Sequence, residues 1–268
     1  MRPYTKPAKS IPDQIALMQQ RGMIVGNVAL AERCLAHVSY YRLRAYWLYY
    51  EANPADPAHA LRTGTRFEDV IALYEYDRQL RLLLLDAIER IEVAARGSWA
   101  YRMAMQYGSH GYLKPSLYKE RREFDRNFKS LVGDVDRSHD TFIKHYKAEY
   151  DDPVLPPVWM AAELISMGLL SKWQSALALP ADCKAIARPF GLDERIYLSF
   201  VHHLVTVRNV CAHHGRLWNK AFTVTPIVPS RPVDLAQSVS ATASRQLYNS
   251  LTICAFLLRQ NWRRHRLA

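Results

Sequence analysis

Glycine is scarce in this chain, 10 residues in 268, and no Asn-Gly or Asp-Gly pair occurs. Without those pairs tight β-hairpins lack their turn chemistry, which argues against an all-β fold. The four cysteines, Cys34, Cys183, Cys211 and Cys254, are scattered and form no Cys-x-x-Cys pair. That usage favours a reducing cytoplasm over a disulfide framework. No run of 18 apolar residues appears, which argues against a membrane span, and Met1–Lys6 lacks the apolar core of a signal peptide. P-loop, Rossmann, His-Glu-x-x-His and nucleophile-elbow motifs are missing, as is a carboxylate cluster suited to two-metal catalysis.

Positive charge is abundant. The net charge is +11, and arginines outnumber lysines 26 to 10. A cationic surface draws polyanions, and the planar guanidinium suits phosphate, so nucleic acid is a candidate partner. A genome whose codons favour arginine accounts for the same bias without any partner.

A 3.6-residue apolar period recurs along the chain and predicts an all-α fold. Residues 10 to 50 read as two or three short helices, with Pro12 in a first turn and Asn27 as a cap. The loop Asn53-Pro54-Ala55-Asp56-Pro57 marks a boundary between a helical N-terminal appendage, 1–60, and a main domain, 61–268. Thr65-Arg66-Phe67-Glu68 has the form of a capping box, so a long helix is expected from Arg66, with a kink at Gly97 and an end at Tyr107-Gly108-Ser109. Asp77 with Arg81, Asp86 with Arg90 and Glu92 with Arg96 are i,i+4 pairs read as a solvated face. Residues 115–150 are helical and polar, with Arg121, Arg122 and Arg126 close to Lys119 and Lys129. Pro156-Pro157 opens a further helix running to Trp173. Asp193 caps a helix over 194–214 that Gly215 closes as its left-handed residue, and a last helix is expected over about 241–258.

The most informative stretch is Arg208-Asn209-Val210-Cys211-Ala212-His213-His214-Gly215-Arg216-Leu217-Trp218-Asn219. Histidine takes and gives protons near neutrality, and arginine grips phosphate, so these residues suit metal-free phosphodiester cleavage. Asn209 and His213 share a helix face, whereas Arg208 lies about 100° away and must bend toward the imidazole or meet it across a dimer axis. His213 and His214 fall at the carbonyl end of the helix, which attracts positive charge. An ordinary helix end whose histidines bond carbonyls would read the same. Zinc is the rival chemistry for His202, His203, Cys211, His213 and His214. However, His202 and His213 stand about 16 Å apart along the axis, too far for one ion, leaving His202 and His203 as packing or RNA-facing residues. Ser39-Tyr40-Tyr41-Arg42-Leu43-Arg44-Ala45-Tyr46-Trp47 interleaves aromatics with arginines. Arg42 and Arg44 there suit RNA, and the aromatics suit either stacked bases or a core. The tail Arg263-Arg264-His265-Arg266 reads as an RNA contact or a frayed basic end.

Arg208-Asn209-Val210-Cys211-Ala212-His213 resembles the Arg-x4–6-His signature of HEPN ribonucleases. The wider wording through Asn219 is similar to the Abi-like family of bacterial abortive-infection proteins. Ser39–Leu43, Leu73–Arg81 with Glu89–Glu92, and Ala162–Gly168 with Leu170–Trp173 resemble further elements of that family, in its order. The resemblance implies a HEPN-type helical bundle that dimerises into one composite site, and metal-independent, cofactor-free RNA cleavage by 2′-hydroxyl attack in anti-phage defence. It assigns Arg208 to the charged phosphorane, His213 to proton transfer and Asn209 to orientation. His214 also satisfies the spacing, so that choice stays open. Arg216, Arg42, Arg44, Arg121, Arg122 and Arg126 are the expected RNA contacts. A structured small noncoding RNA is a further partner the resemblance implies. The alternatives are a non-catalytic HEPN-fold module that sequesters or scaffolds RNA, and a helical protein-interaction scaffold.

Overall fold

A computed structural model describes residues 3, 5, 7–53 and 55–262. Among them the chain forms twelve α-helices and no strand, and no described helix is long and apolar enough to cross a membrane. Two compact units divide it, Met1–Arg81 and Leu82–Ala268.

The first unit holds α1 (Ile11–Gln20), α2 (Val28–Val38), α3 (Tyr40–Trp47) and the opening turns of α4 (Phe67–Tyr107). Polar residues start the helices: Ser10 caps α1, and the Asn27 carboxamide accepts the Leu30 N–H at 2.9 Å to cap α2. Ile15, Met18, Leu35, Leu43, Tyr46 and Trp47 form the core, so two aromatics of the Tyr-Arg-rich stretch are packing residues, while Tyr41 is exposed. Leu61, Phe67 and Val70 join that core, and the 60/61 boundary therefore falls inside this unit.

Two local expectations fail here, and in each a residue distant in sequence donates to one of the carboxylates. The Thr65–Glu68 capping box does not form. Thr65 Oγ1 donates to the Arg62 carbonyl at 2.7 Å, and the Glu68 carboxylate accepts the Asn27 N–H at 3.0 Å. Nor is the Asp77–Arg81 pair solvated. Both residues are buried, and the Tyr46 hydroxyl donates to Asp77 at 2.7 Å. Burial and that bond to a carboxylate push the Tyr46 hydroxyl up to about 12.

The second unit takes the rest of α4 and adds α5 (Arg121–Arg137), α6 (Thr141–Glu149), α7 (Val158–Leu164), α8 (Met167–Ser175), α9 (Pro180–Ala187), α10 (Glu194–Ala212), α11 (Val233–Ser238) and α12 (Leu247–Trp262). Trp173 is fully buried, with Trp99, Tyr112, Tyr118 and Phe124 around it at ring separations of 5.1 to 6.1 Å. α4 continues through Gly97 and stops at Gly108, whose φ of +81° ends the helix without a Cβ clash. Glu92 and Arg96 are largely buried, because Arg96 also donates to the Ala162 carbonyl; Asp86–Arg90 alone of the three pairs is solvated.

The single helix expected after Pro156-Pro157 is two, because Ser166 Oγ accepts the Leu169 N–H at 3.2 Å and starts α8 afresh. The last helix begins at Leu247 rather than near 241. Ahead of it the Asn249 carboxamide pins Ser240 through two hydrogen bonds, at 2.8 and 2.9 Å. The basic run Arg263–Arg266 lies outside the described residues.

Candidate functional site

Helix α10 positions the motif. Its N-terminus is set by Asp193, whose carboxylate accepts the Arg195 N–H at 2.9 Å. Tyr197, Phe200, Val201, Leu204, Val207 and Cys211 recur at helical spacing and bury one face, and the helix packs against α8, α9 and α12. The opposite stripe carries His202, Asn209 and His213, all exposed.

His203 belongs to the buried side. Its Nδ1 donates to the Val224 carbonyl at 2.7 Å, so Nε2 accepts the Ser250 hydroxyl at 2.8 Å. Burial holds its pKa below the usual histidine range. It is a packing residue, while neighbouring His202 opens into a cleft. Cys211 is also buried, and burial pushes the Cys254 thiol up to about 12. The described residues bring no three histidine, cysteine or carboxylate side chains together around one metal position.

The end of α10 differs from the expectation at one residue. The left-handed position is His214, with φ +57°, and not Gly215. The His214 N–H bonds the Cys211 carbonyl at 3.1 Å and the Gly215 N–H bonds the Val210 carbonyl at 2.8 Å, the two reversed bonds of a Schellman motif. Gly215 is needed for space, since a Cβ there would lie 3.2 Å from the Val210 carbonyl oxygen. A left-handed histidine is strained by about 1–2 kcal/mol. His214→Gly should therefore raise the melting temperature by about 2–4 °C; a fall in a thermal scan would contradict the strain assignment.

The candidate residues fall in three places. Asn209 lines a cleft of about 1150 Å³ between α5, α8 and α10, together with Arg126 and His202. His213 lies one turn beyond Asn209, exposed, and its imidazole makes no hydrogen bond among the described residues. Arg208 is half-buried and faces away, lining a separate recess of about 320 Å³ with Asp86, Glu89 and Glu92 of α4. It forms no ion pair with them. Thus one chain keeps Arg208 apart from the face shared by Asn209 and His213.

Of the other expected RNA contacts, Arg126 alone lines the large cleft. Arg121 pairs with Asp125 at 2.8 Å, and Arg122 is exposed on the same helix. The Arg216 guanidinium lies 6.0 Å from the centre of the Trp218 ring, beside buried Leu217, which fixes the segment after the motif. Arg42 and Arg44 belong to the first unit. Arg44 approaches the His59 ring at 3.3 Å and Glu51 at 3.9 Å, a structural set. Sequence reasoning passed over Asn127, Arg137 and Lys172, which also line the cleft. The available signal was the polar period of α5, where Glu123, Arg126, Asn127, Ser130, Asp134 and Arg137 repeat on one face.

Compared with known proteins, the chain matches a family model described as Abi-like protein over residues 33–219. That range takes in α3, the cleft-lining stretches and the whole 208–219 motif. Neither the curated proteins nor the solved structures give a match.

Proposed function

Because the chain belongs to the Abi-like protein family, we propose that it serves abortive infection as a metal-independent endoribonuclease of HEPN type, acting as a homodimer in the cytoplasm. The observation that carries this reading is an exposed His213, its imidazole without a hydrogen bond among the described residues, one turn beyond Asn209, which lines a cationic cleft. In the neutral form the imidazole takes the 2′-hydroxyl proton as the 2′ oxygen bonds to phosphorus. The imidazolium so formed then protonates the 5′ oxygen as the P–O5′ bond breaks. The products are a 2′,3′-cyclic phosphate and a 5′-hydroxyl. Arg208 stabilises the extra negative charge of the phosphorane, and Asn209 orients the phosphate.

The divergence of Arg208 from His213 favours a site completed by a second copy. α4 supplies a suitable surface: Leu82, Leu83, Val93, Tyr101 and Met105 are all exposed and fall within an arc of about 140°. Mixing Arg208→Ala protein with His213→Ala protein tests this. Each alone is inactive, and exchange of subunits restores cleavage where arginine and histidine come from different chains. No restoration, with mixed dimers verified by mass, would place both groups in one chain.

A further inference from the structure

The large cleft has features the catalytic pair alone does not require. Arg126 and Lys129 of α5 and Lys172 of α8 are exposed and make no ion pair among the described residues. Two acidic residues, Glu123 and Asp134, also line the cleft, and Asp134 is already matched by Arg137 at 2.8 Å. Asn127 lines the same cleft, is 3% exposed, and its Nδ2 has no acceptor among the described residues. A buried donor without a partner costs about 1–3 kcal/mol, so an acceptor supplied from outside would be well rewarded. The first turn of α8 also opens here through Ser166 and Gly168. The positive end of its helix dipole favours an anion.

Size and lining identify the occupant. At about 1150 Å³ the space exceeds the ~300–1,000 Å³ of most small-molecule sites, which suits a polymer segment. No tryptophan, tyrosine or phenylalanine lines it, His202 being the one ring among the lining residues, so the lining acts mainly as a grip on the backbone. A single strand has a flexible backbone that can follow a recess walled by three helices. We infer that the cleft between α5, α8 and α10 is the track for a single RNA strand, holding its phosphates through Arg126, Lys129, Lys172 and Asn127 and delivering the strand to Asn209. The choice of RNA rests on the ribonuclease reading above; the grip on phosphate rests on the cleft itself.

Binding of a fluorescent 2′-O-methyl oligouridylate, which cannot be cut by 2′-hydroxyl attack, tests the track on the full chain. The triple variant Arg126→Glu/Lys129→Glu/Lys172→Glu should bind at least tenfold more weakly, with the slope of log affinity against log salt reduced by about 2. Asn127→Leu should weaken binding several-fold while the melting temperature holds or rises, because an unsatisfied donor has been removed; a purely structural Asn127 would lower it. Oligoadenylate should bind within a few-fold of oligouridylate, since no tryptophan, tyrosine or phenylalanine ring lines the cleft to favour purine stacking. Unchanged affinity in the triple variant would overturn the track, as would equal competition by polyglutamate, which would mark the cleft as a site for acidic protein. Cleavage of unmodified RNA, followed in parallel, separates the two readings. Tight, cleft-dependent binding without cutting removes the catalytic reading alone, and cutting that ignores the charge reversals removes the track alone.

Discussion

Replacing His213 with alanine is expected to lower RNA cleavage by about 10²–10⁴-fold, the usual loss when a positioned proton-transfer group is removed. The change should leave the fold intact. His213 is exposed and its ring bonds nothing among the described residues, so its removal should alter stability by no more than about 0.5 kcal/mol. RNA affinity should also persist, because the cations of the cleft are untouched. His214→Gly supplies the internal control: it relieves a left-handed backbone and should keep cleavage. If His214→Gly loses activity while His213→Ala retains it, the catalytic assignment moves by one residue. If neither matters, RNA binding without chemistry becomes the better account.

The largest expected loss of stability comes from Asp77. Its carboxylate is fully buried between the Arg81 guanidinium and the Tyr46 hydroxyl. Asp77→Ala leaves the arginine cation buried without its counter-charge, which typically costs about 3–5 kcal/mol. That is a large share of the roughly 5–15 kcal/mol that holds a domain folded. The urea midpoint of the first unit should fall accordingly, and fluorescence of Trp47, buried in that unit's core, would report it. Replacing the pair together, as Asp77→Leu/Arg81→Met, should cost far less, since no lone charge remains. A loss below about 1 kcal/mol in Asp77→Ala would mean that water reaches the pair and screens it. Alkaline solution probes the same cluster. The Tyr46 pKa is raised to about 12 in the folded chain, so the unfolded chain loses the proton first, and stability should decline as pH rises from about 10 toward 12.

The helical nature of the chain was legible because apolar period and glycine scarcity act through every turn of backbone. The apolar face of α4 is a case in point, with Leu84, Ile88, Ile91 and Ala95 buried as the spacing predicts. What the sequence concealed were contacts made from outside the local window. Glu68 could not be known to bond the Asn27 N–H, nor Arg96 the Ala162 carbonyl, so a capping box and a solvated pair were expected instead. The same holds for the motif. Spacing alone separates Arg208 from Asn209 and His213, yet the recess with Asp86, Glu89 and Glu92 depends on where α4 lies. His214 illustrates a finer limit. Glycine is the usual left-handed residue, but Gly215 serves instead to let Val210 approach, and the strain falls one position earlier. The cleft itself was half visible: Arg126 was read as an RNA contact, but Asn127 and Lys172 acquire meaning only once α5 and α8 are side by side.

The most direct test of the central claim is to map the ends of RNA exposed to wild-type protein in excess EDTA, beside Arg208→Ala and His213→Ala. The account predicts 2′,3′-cyclic phosphate and 5′-hydroxyl ends with the wild type, absent or strongly reduced with either variant. Cleavage that requires added Mg²⁺, or ends that carry a 3′-hydroxyl and a 5′-phosphate, would contradict it.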